Sequence, residues 1–91
     1  MNAKIEFQIG DIVRSLQGRD EKTLYVVKEI LAKDHLALVD GKKHKFEKPK
    51  RKNQKHVKHV ASEKNLAEQI ISKKIVQDAQ IRNILKGEFN V

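Results

Sequence analysis

The run Thr23-Leu24-Tyr25-Val26-Val27-Lys28-Glu29-Ile30-Leu31 limits the folds open to this chain more than any other stretch. It is dense in β-branched and aromatic residues, which fit a pleated, packed surface better than a helix. Successive side chains of a strand point to opposite faces, so apolar residues load both faces until Lys28 and Glu29. A strand of this kind has to be covered on both sides. It is therefore central in its sheet, or it curls across a barrel.

Shorter runs surround it. Gly10-Asp11 is a turn signal after the apolar lead Ile5, Phe7 and Ile9, and it feeds a first strand over about residues 11–16. Gln17-Gly18-Arg19-Asp20-Glu21-Lys22 is a polar loop in which Gly18 is free to take a positive φ. Ala32-Lys33-Asp34 turns the chain into His35-Leu36-Ala37-Leu38-Val39, where Leu36 and Leu38 share a face. Asp40-Gly41 then signals a tight hairpin that pairs residues 36–39 with residues 43–46, an edge strand by composition. Pro49 ends that strand, residues 50–55 form an exposed basic loop, and His56-Val57-Lys58-His59-Val60 returns the chain to the sheet. Five short strands joined by tight turns predict a mainly β fold over residues 1–60, a small closed or nearly closed barrel.

From Ser62 the apolar period changes to that of a helix. Leu66, Ile70, Ile71 and Ile75 fall on one face, with Ser62 as N-cap. Asp78 caps a further stretch in which Ile81, Ile84 and Leu85 line up, and Gly87 is the stop signal after Lys86. One bent helix or two short ones satisfy this pattern. Residues 61–91 are expected to pack on the barrel as a helical tail, because a domain this small gains from any further apolar area it covers.

Charge is distributed unevenly. Between Lys42 and Lys58 stand nine Lys and Arg against one acid, Glu47, a surplus equal to the formal net charge of +8 of all 91 residues. A local excess of this size is the electrostatic footprint of a nucleic-acid binder, since each cation near a phosphate releases a condensed counterion. Only four aromatic residues are present, Phe7, Tyr25, Phe46 and Phe89, which argues against a platform that stacks several bases and for recognition of backbone and shape.

The same sequence narrows the other classes. The absence of Cys leaves no disulfide framework and no thiolate metal site. His56 and His59, three apart on a strand, point to opposite faces, so with His35 and His44 nearby no metal site is expected. No glycine-rich phosphate loop, nucleophile elbow or spaced carboxylate pair is visible, so neither catalysis nor a cofactor is expected. The start of the chain lacks a basic region followed by a long apolar core, and no run approaches the ~20 apolar residues of a membrane span. A cytoplasmic protein with no membrane partner is expected.

Taken in order, several short segments resemble one family. Gly10-Asp11-Ile12-Val13-Arg14-Ser15, Gly18-Arg19-Asp20, Tyr25-Val26-Val27, Leu38-Val39-Asp40-Gly41-Lys42, Lys48-Pro49-Lys50-Arg51-Lys52-Asn53 and Lys55-His56 are similar to KOW-domain RNA-binding proteins. More narrowly, they resemble large-subunit ribosomal proteins of the fourteen-e type and their short stand-alone bacterial relatives. The resemblance covers residues 10–59 and implies a non-catalytic SH3-like β-barrel that binds ribosomal or other structured RNA. By position, Gly10 and Gly18 match the glycines flanking the first strand, while Arg14, Arg19 and residues 48–52 match basic positions that face RNA. Where the family carries a Lys-Gly pair this chain has Lys22-Thr23, so its loop is expected to turn differently.

The RNA-binding residues expected on these grounds are Arg14, Arg19, Lys42, Lys43, Lys45, Lys48, Lys50, Arg51, Lys52, Lys55, His56 and Lys58. The expected partner is RNA, above all ribosomal RNA, with ribosomal proteins as neighbours and a monomer when free. The rival reading is a protein-interaction adaptor that uses the barrel or the helical tail, its basic segment serving only solubility.

Overall fold

The computed structural model describes residues 6–89; Ile5, the start of the chain before it, and residues 90–91 lie outside the described residues. Leu24–Ile30 forms β2 and occupies the middle of a five-stranded antiparallel sheet. It is flanked by β1 (Asp11–Ser15) and β3 (His35–Val39), with β4 (Lys50–Asn53) outside β3 and β5 (Val57–Ser62) outside β1. Two helices follow, α1 (Lys64–Ile71) and α2 (Asp78–Phe89).

Both faces of β2 are buried, as its composition requires. Leu24 and Val26 join Ile12 and Val39 under the helical tail, where Leu66, Val76, Ile81 and Leu85 complete one core. Tyr25 and Val27 fill a second core on the other face with Val13, Leu36, Leu38 and Val57. Full burial of Leu66 and Ile81 contributes about 2 kcal/mol each. The helices thus belong to the fold and are not a loose appendage.

The sheet is bent but open. Register shifts between Ile12 and Val13 against β5, and between Val27 and Glu29 against β3, mark bulges that increase local twist. A short 3-10 turn, Gln54–His56, carries the chain from one sheet edge, β4, to the other, β5. It is held by bonds from the Leu16 N–H to the His56 carbonyl (2.8 Å) and from the Gln54 N–H to the Asp34 carbonyl (2.8 Å). The mainly β architecture with five strands and a helical tail stands, without the closure expected of a barrel. The turn delivers β5 to β1, and β4 and β5 share no ladder.

Three local expectations are corrected. Residues 43–46 do not pair with β3; its partner is β4, with Leu36 opposite Lys52 and Leu38 opposite Lys50. The Asp40 carboxylate accepts the N–H groups of Lys42 (2.9 Å) and His44 (2.8 Å), and the Asp40 N–H donates to the His44 carbonyl. These local bonds close a wider loop in place of a two-residue hairpin. Phe46 is then drawn towards the tail, its N–H donating to Asp78 Oδ1 (2.8 Å) and its ring packing on the helix-side core. Pro49 therefore precedes a strand instead of ending one, and residues 50–53 are strand and not loop.

The tail differs in its ends. Ser62 closes β5 and donates its hydroxyl to Asp11 Oδ1 (2.9 Å), while Glu63 takes the N-cap position of α1 without a side-chain cap bond. Asp78 is the first residue of α2 with its carboxylate committed to Phe46, and Gly87 lies within α2 rather than stopping it. The C-terminus of α1 is a Schellman motif: Lys73 N–H to the Ile70 carbonyl (3.1 Å) and Lys74 N–H to the Gln69 carbonyl (2.9 Å), with Lys73 at φ +58. That left-handed residue turns the chain aside. Beyond it Ile75, expected on the buried stripe, is 86% exposed; Ile71, expected there too, is 65% exposed because it lies about 100° round α1 from the core-packed Ile70.

Gly10, at φ +90, is where α1 meets the sheet: a Cβ built there lies 2.5 Å from Ala67 Cβ. Among the described residues, no helix is long and apolar enough to cross a membrane. Two urea-unfolding measurements check these backbone assignments. Gly10→Ala lowers stability by about 3 kcal/mol, from overpacking plus left-handed strain. Lys73→Gly raises it by about 1 kcal/mol, because glycine adopts the left-handed cap without penalty.

Candidate nucleic-acid interface

The loop between β1 and β2 turns at Gly18 (φ +89) and again at Lys22 (φ +73), where this chain has no glycine. The Lys22 N–H donates to the Ser15 carbonyl (2.8 Å) and the Thr23 N–H to the Asp20 carbonyl (2.9 Å). These two turns aim Asp20 across the sheet towards β4. Its Oδ1 accepts from Ser15 Oγ (3.0 Å) and Lys52 Nζ (2.9 Å), and its Oδ2 from Tyr25 Oη (2.8 Å) and Lys50 Nζ (3.0 Å). Four donors on one carboxylate satisfy every lone-pair site it has.

Burial alone raises the pKa of Asp20, whose side chain is 14% exposed. The bonds from Lys52, Lys50, Tyr25 and Ser15 outweigh that effect and hold the carboxyl well below the usual range. Tyr25 is pushed above the usual phenol range by its burial and then by the bond to Asp20 and the nearby charge, so it remains a donor. Lys52 Nζ also donates to the Gln17 carbonyl (3.0 Å), and the Lys52 side chain is only 11% exposed.

Beside this network lies an open groove of about 500 Å³, lined by Gln17 and Gly18 of the loop, by β4, and by Lys55, His56 and His35. Lys50 and Lys52 are tethered in it. Arg51 and Lys55 are exposed, and neither has an ion pair among the described residues. His35 Nδ1 lies 2.6 Å from the Lys33 carbonyl, which can only accept. The Nδ1–H therefore points to that carbonyl, leaving Nε2 as the free ring nitrogen. Ammonium, guanidinium, imidazole and the Asn53 amide surround the groove, donor groups of the kind that suit an anion, and Arg51 offers the planar fork that suits a phosphate.

The twelve expected contact residues do not form one patch. Lys50, Arg51, Lys52, Lys55 and His56 meet in this groove. Lys45 and Lys48 line a different concavity. Arg14 and Lys58 face each other as an exposed like-charge pair across β1 and β5. Arg19 is exposed in the first loop, and Lys42 and Lys43 in the loop closed by Asp40. Gln17, Asp20, His35 and Asn53 were not foreseen as part of the site. The only signal for Asp20 was its place in the Gly18-Arg19-Asp20 segment.

A serine, a histidine and an aspartate also meet at the end of β5. Ser62 Oγ donates to Asp11 Oδ1 and lies 3.0 Å from His59 Nε2. The serine proton is directed to the carboxylate and not to the imidazole, the reverse of a nucleophile activated by a base. Asp11 Oδ2 accepts the Gln8 N–H (2.9 Å), so the trio ties the chain before β1 to the strand that leads into α1.

Compared with protein-family models and with curated proteins, the sequence has no match.

Removing the hub carboxylate leaves two ammonium groups and a buried phenol uncompensated. Asp20→Ala is expected to cost about 3 kcal/mol in urea unfolding. Because the folded pKa is depressed, the stabilisation by Asp20 is complete above its unfolded value of about 3.9 and is lost as pH falls towards the folded value. Between about pH 6 and pH 2.5 the wild type should lose about 1–2 kcal/mol more than Asp20→Asn, after allowance for solvent screening.

Proposed function

We propose that this chain is a non-catalytic RNA-binding protein of the cytoplasm, associated with the ribosome. It grips the backbone of structured RNA in the groove between the β1–β2 loop, β4 and the 3-10 turn. The observation that carries this reading is the groove's lining: five of the expected contact residues, two of them fixed by Asp20 and two standing free. The resemblance to KOW-domain proteins supports it from the sequence side, since Lys50, Arg51 and Lys52 lie in the matching segment.

Structured RNA is favoured over stacked single strands by the state of the rings. Tyr25 is buried and bonded to Asp20, and Lys28 Nζ sits 4.2 Å over the Phe46 ring. Phe7 packs against the core on the β2 face opposite the helices. All three rings are thus engaged within the fold, Tyr25 by full burial and Phe7 and Phe46 by packing against the two cores. Selectivity then rests on the spacing of phosphates presented by a folded RNA.

Free and tethered cations contribute unequally. In a titration of an RNA hairpin over a range of salt concentrations, Arg51→Ala combined with Lys55→Ala lowers the slope of log affinity against log salt by about 1.5–2. Lys52→Ala lowers it by less than about one, because that ammonium already neutralises Asp20. An unchanged slope in the double variant would remove the groove from consideration as the RNA site.

A further inference from the structure

Another concavity, of about 830 Å³, shares no lining residue with the groove beside β4. It lies between residues 45–48 and the segment of residues 74–78 that joins α1 to α2. Its floor is apolar. Val76 is buried in the helix-side core and anchors the joining segment, and Phe46 packs against the same core. Ile75, next to that anchor, stands in solvent at 86% exposure and is held there by the Schellman turn at Lys73 and the burial of Val76.

The rim is cationic. Lys45, Lys48 and Lys74 are exposed and form no ion pair among the described residues, facing one exposed acid, Glu47. The other acid, Asp78, is engaged by the Phe46 N–H. Lys28 is committed as well, its Nζ donating to the Phe46 carbonyl (2.6 Å) and covering the ring.

We propose that this concavity docks an acidic protein segment that presents a large aliphatic or aromatic side chain to Ile75. Charge complementarity fixes the sign of the partner, three uncommitted lysines against one carboxylate. The apolar floor fixes its class. Burying Ile75 against an apolar side chain removes that surface from water, whereas phosphate and sugar offer an isoleucine no such gain. A nucleobase is excluded from Phe46 because the ring face is already occupied by Lys28. The inference stands apart from the RNA reading, which rests on other residues.

A phage-displayed library of random linear peptides tests it, selected on the full-length protein and then titrated against Ile75→Glu and Arg51→Ala. At so exposed a position Ile75→Glu should leave the thermal midpoint unchanged, so that lost binding is not lost folding. The selected peptides are expected to carry several Asp or Glu around a leucine, isoleucine or phenylalanine. They should bind Ile75→Glu about tenfold or more weakly and Arg51→Ala unchanged. The proposal is overturned if no peptide is enriched, if enriched peptides lack that pattern, or if Ile75→Glu binds them as well as the wild type. It is overturned equally if Ile75→Glu weakens an RNA hairpin and not the peptides, since the concavity would then be a nucleic-acid surface.

Discussion

Two-sided burial of β2 is the constraint from which the remaining structure follows. A central strand with Leu24 and Val26 on one face and Tyr25 and Val27 on the other has to be covered twice, and a chain of 91 residues has little material with which to do it. Curvature of the sheet, helped by two bulges, covers one face with the chain's own strands. The tail covers the other. Each helix is seated at a glycine: α1 on Gly10 through Ala67, and α2 on Gly41, whose carbonyl accepts from Arg82 Nη1 at 2.7 Å. Neither seat leaves room for a Cβ.

What the sequence made legible was what short-range chemistry decides. The positions of β1, β2 and β3, the shared face of Leu36 and Leu38, and the positive φ of Gly18 all follow from residues within a few places of one another. Residues 40–53 were misread because Asp40-Gly41 and the alternation after it satisfy a hairpin pattern. The choice was made instead by the Asp40 side chain and by the bond from Phe46 to Asp78, which lies 32 residues away. Ser62 and Gly87 carry the right chemistry for caps but were claimed by other partners or by helix continuity.

The candidate site shows the same division. Nine cations in one run suggest a single patch, yet the fold distributes them over two concavities, a strand pair with Arg14, and, for Lys42 and Lys43, the loop closed by Asp40. The residue that organises the groove, Asp20, is the one that charge counting subtracts. Its partners Lys50 and Lys52 lie 30 and 32 residues further on, beyond the reach of any local motif. Asp20 removes net charge from the groove and in return fixes two flexible side chains, so Lys50 and Lys52 have less conformational freedom left to lose in any further contact.

β4 lies at one border of the sheet. Its outer backbone groups are unpaired by the sheet and form a template on which an identical strand from another molecule is able to add. Lys50, Arg51 and Lys52 make such stacking a meeting of like charges. Shortening these side chains is therefore expected to act on colloidal stability, by removing the like-charge barrier at this border.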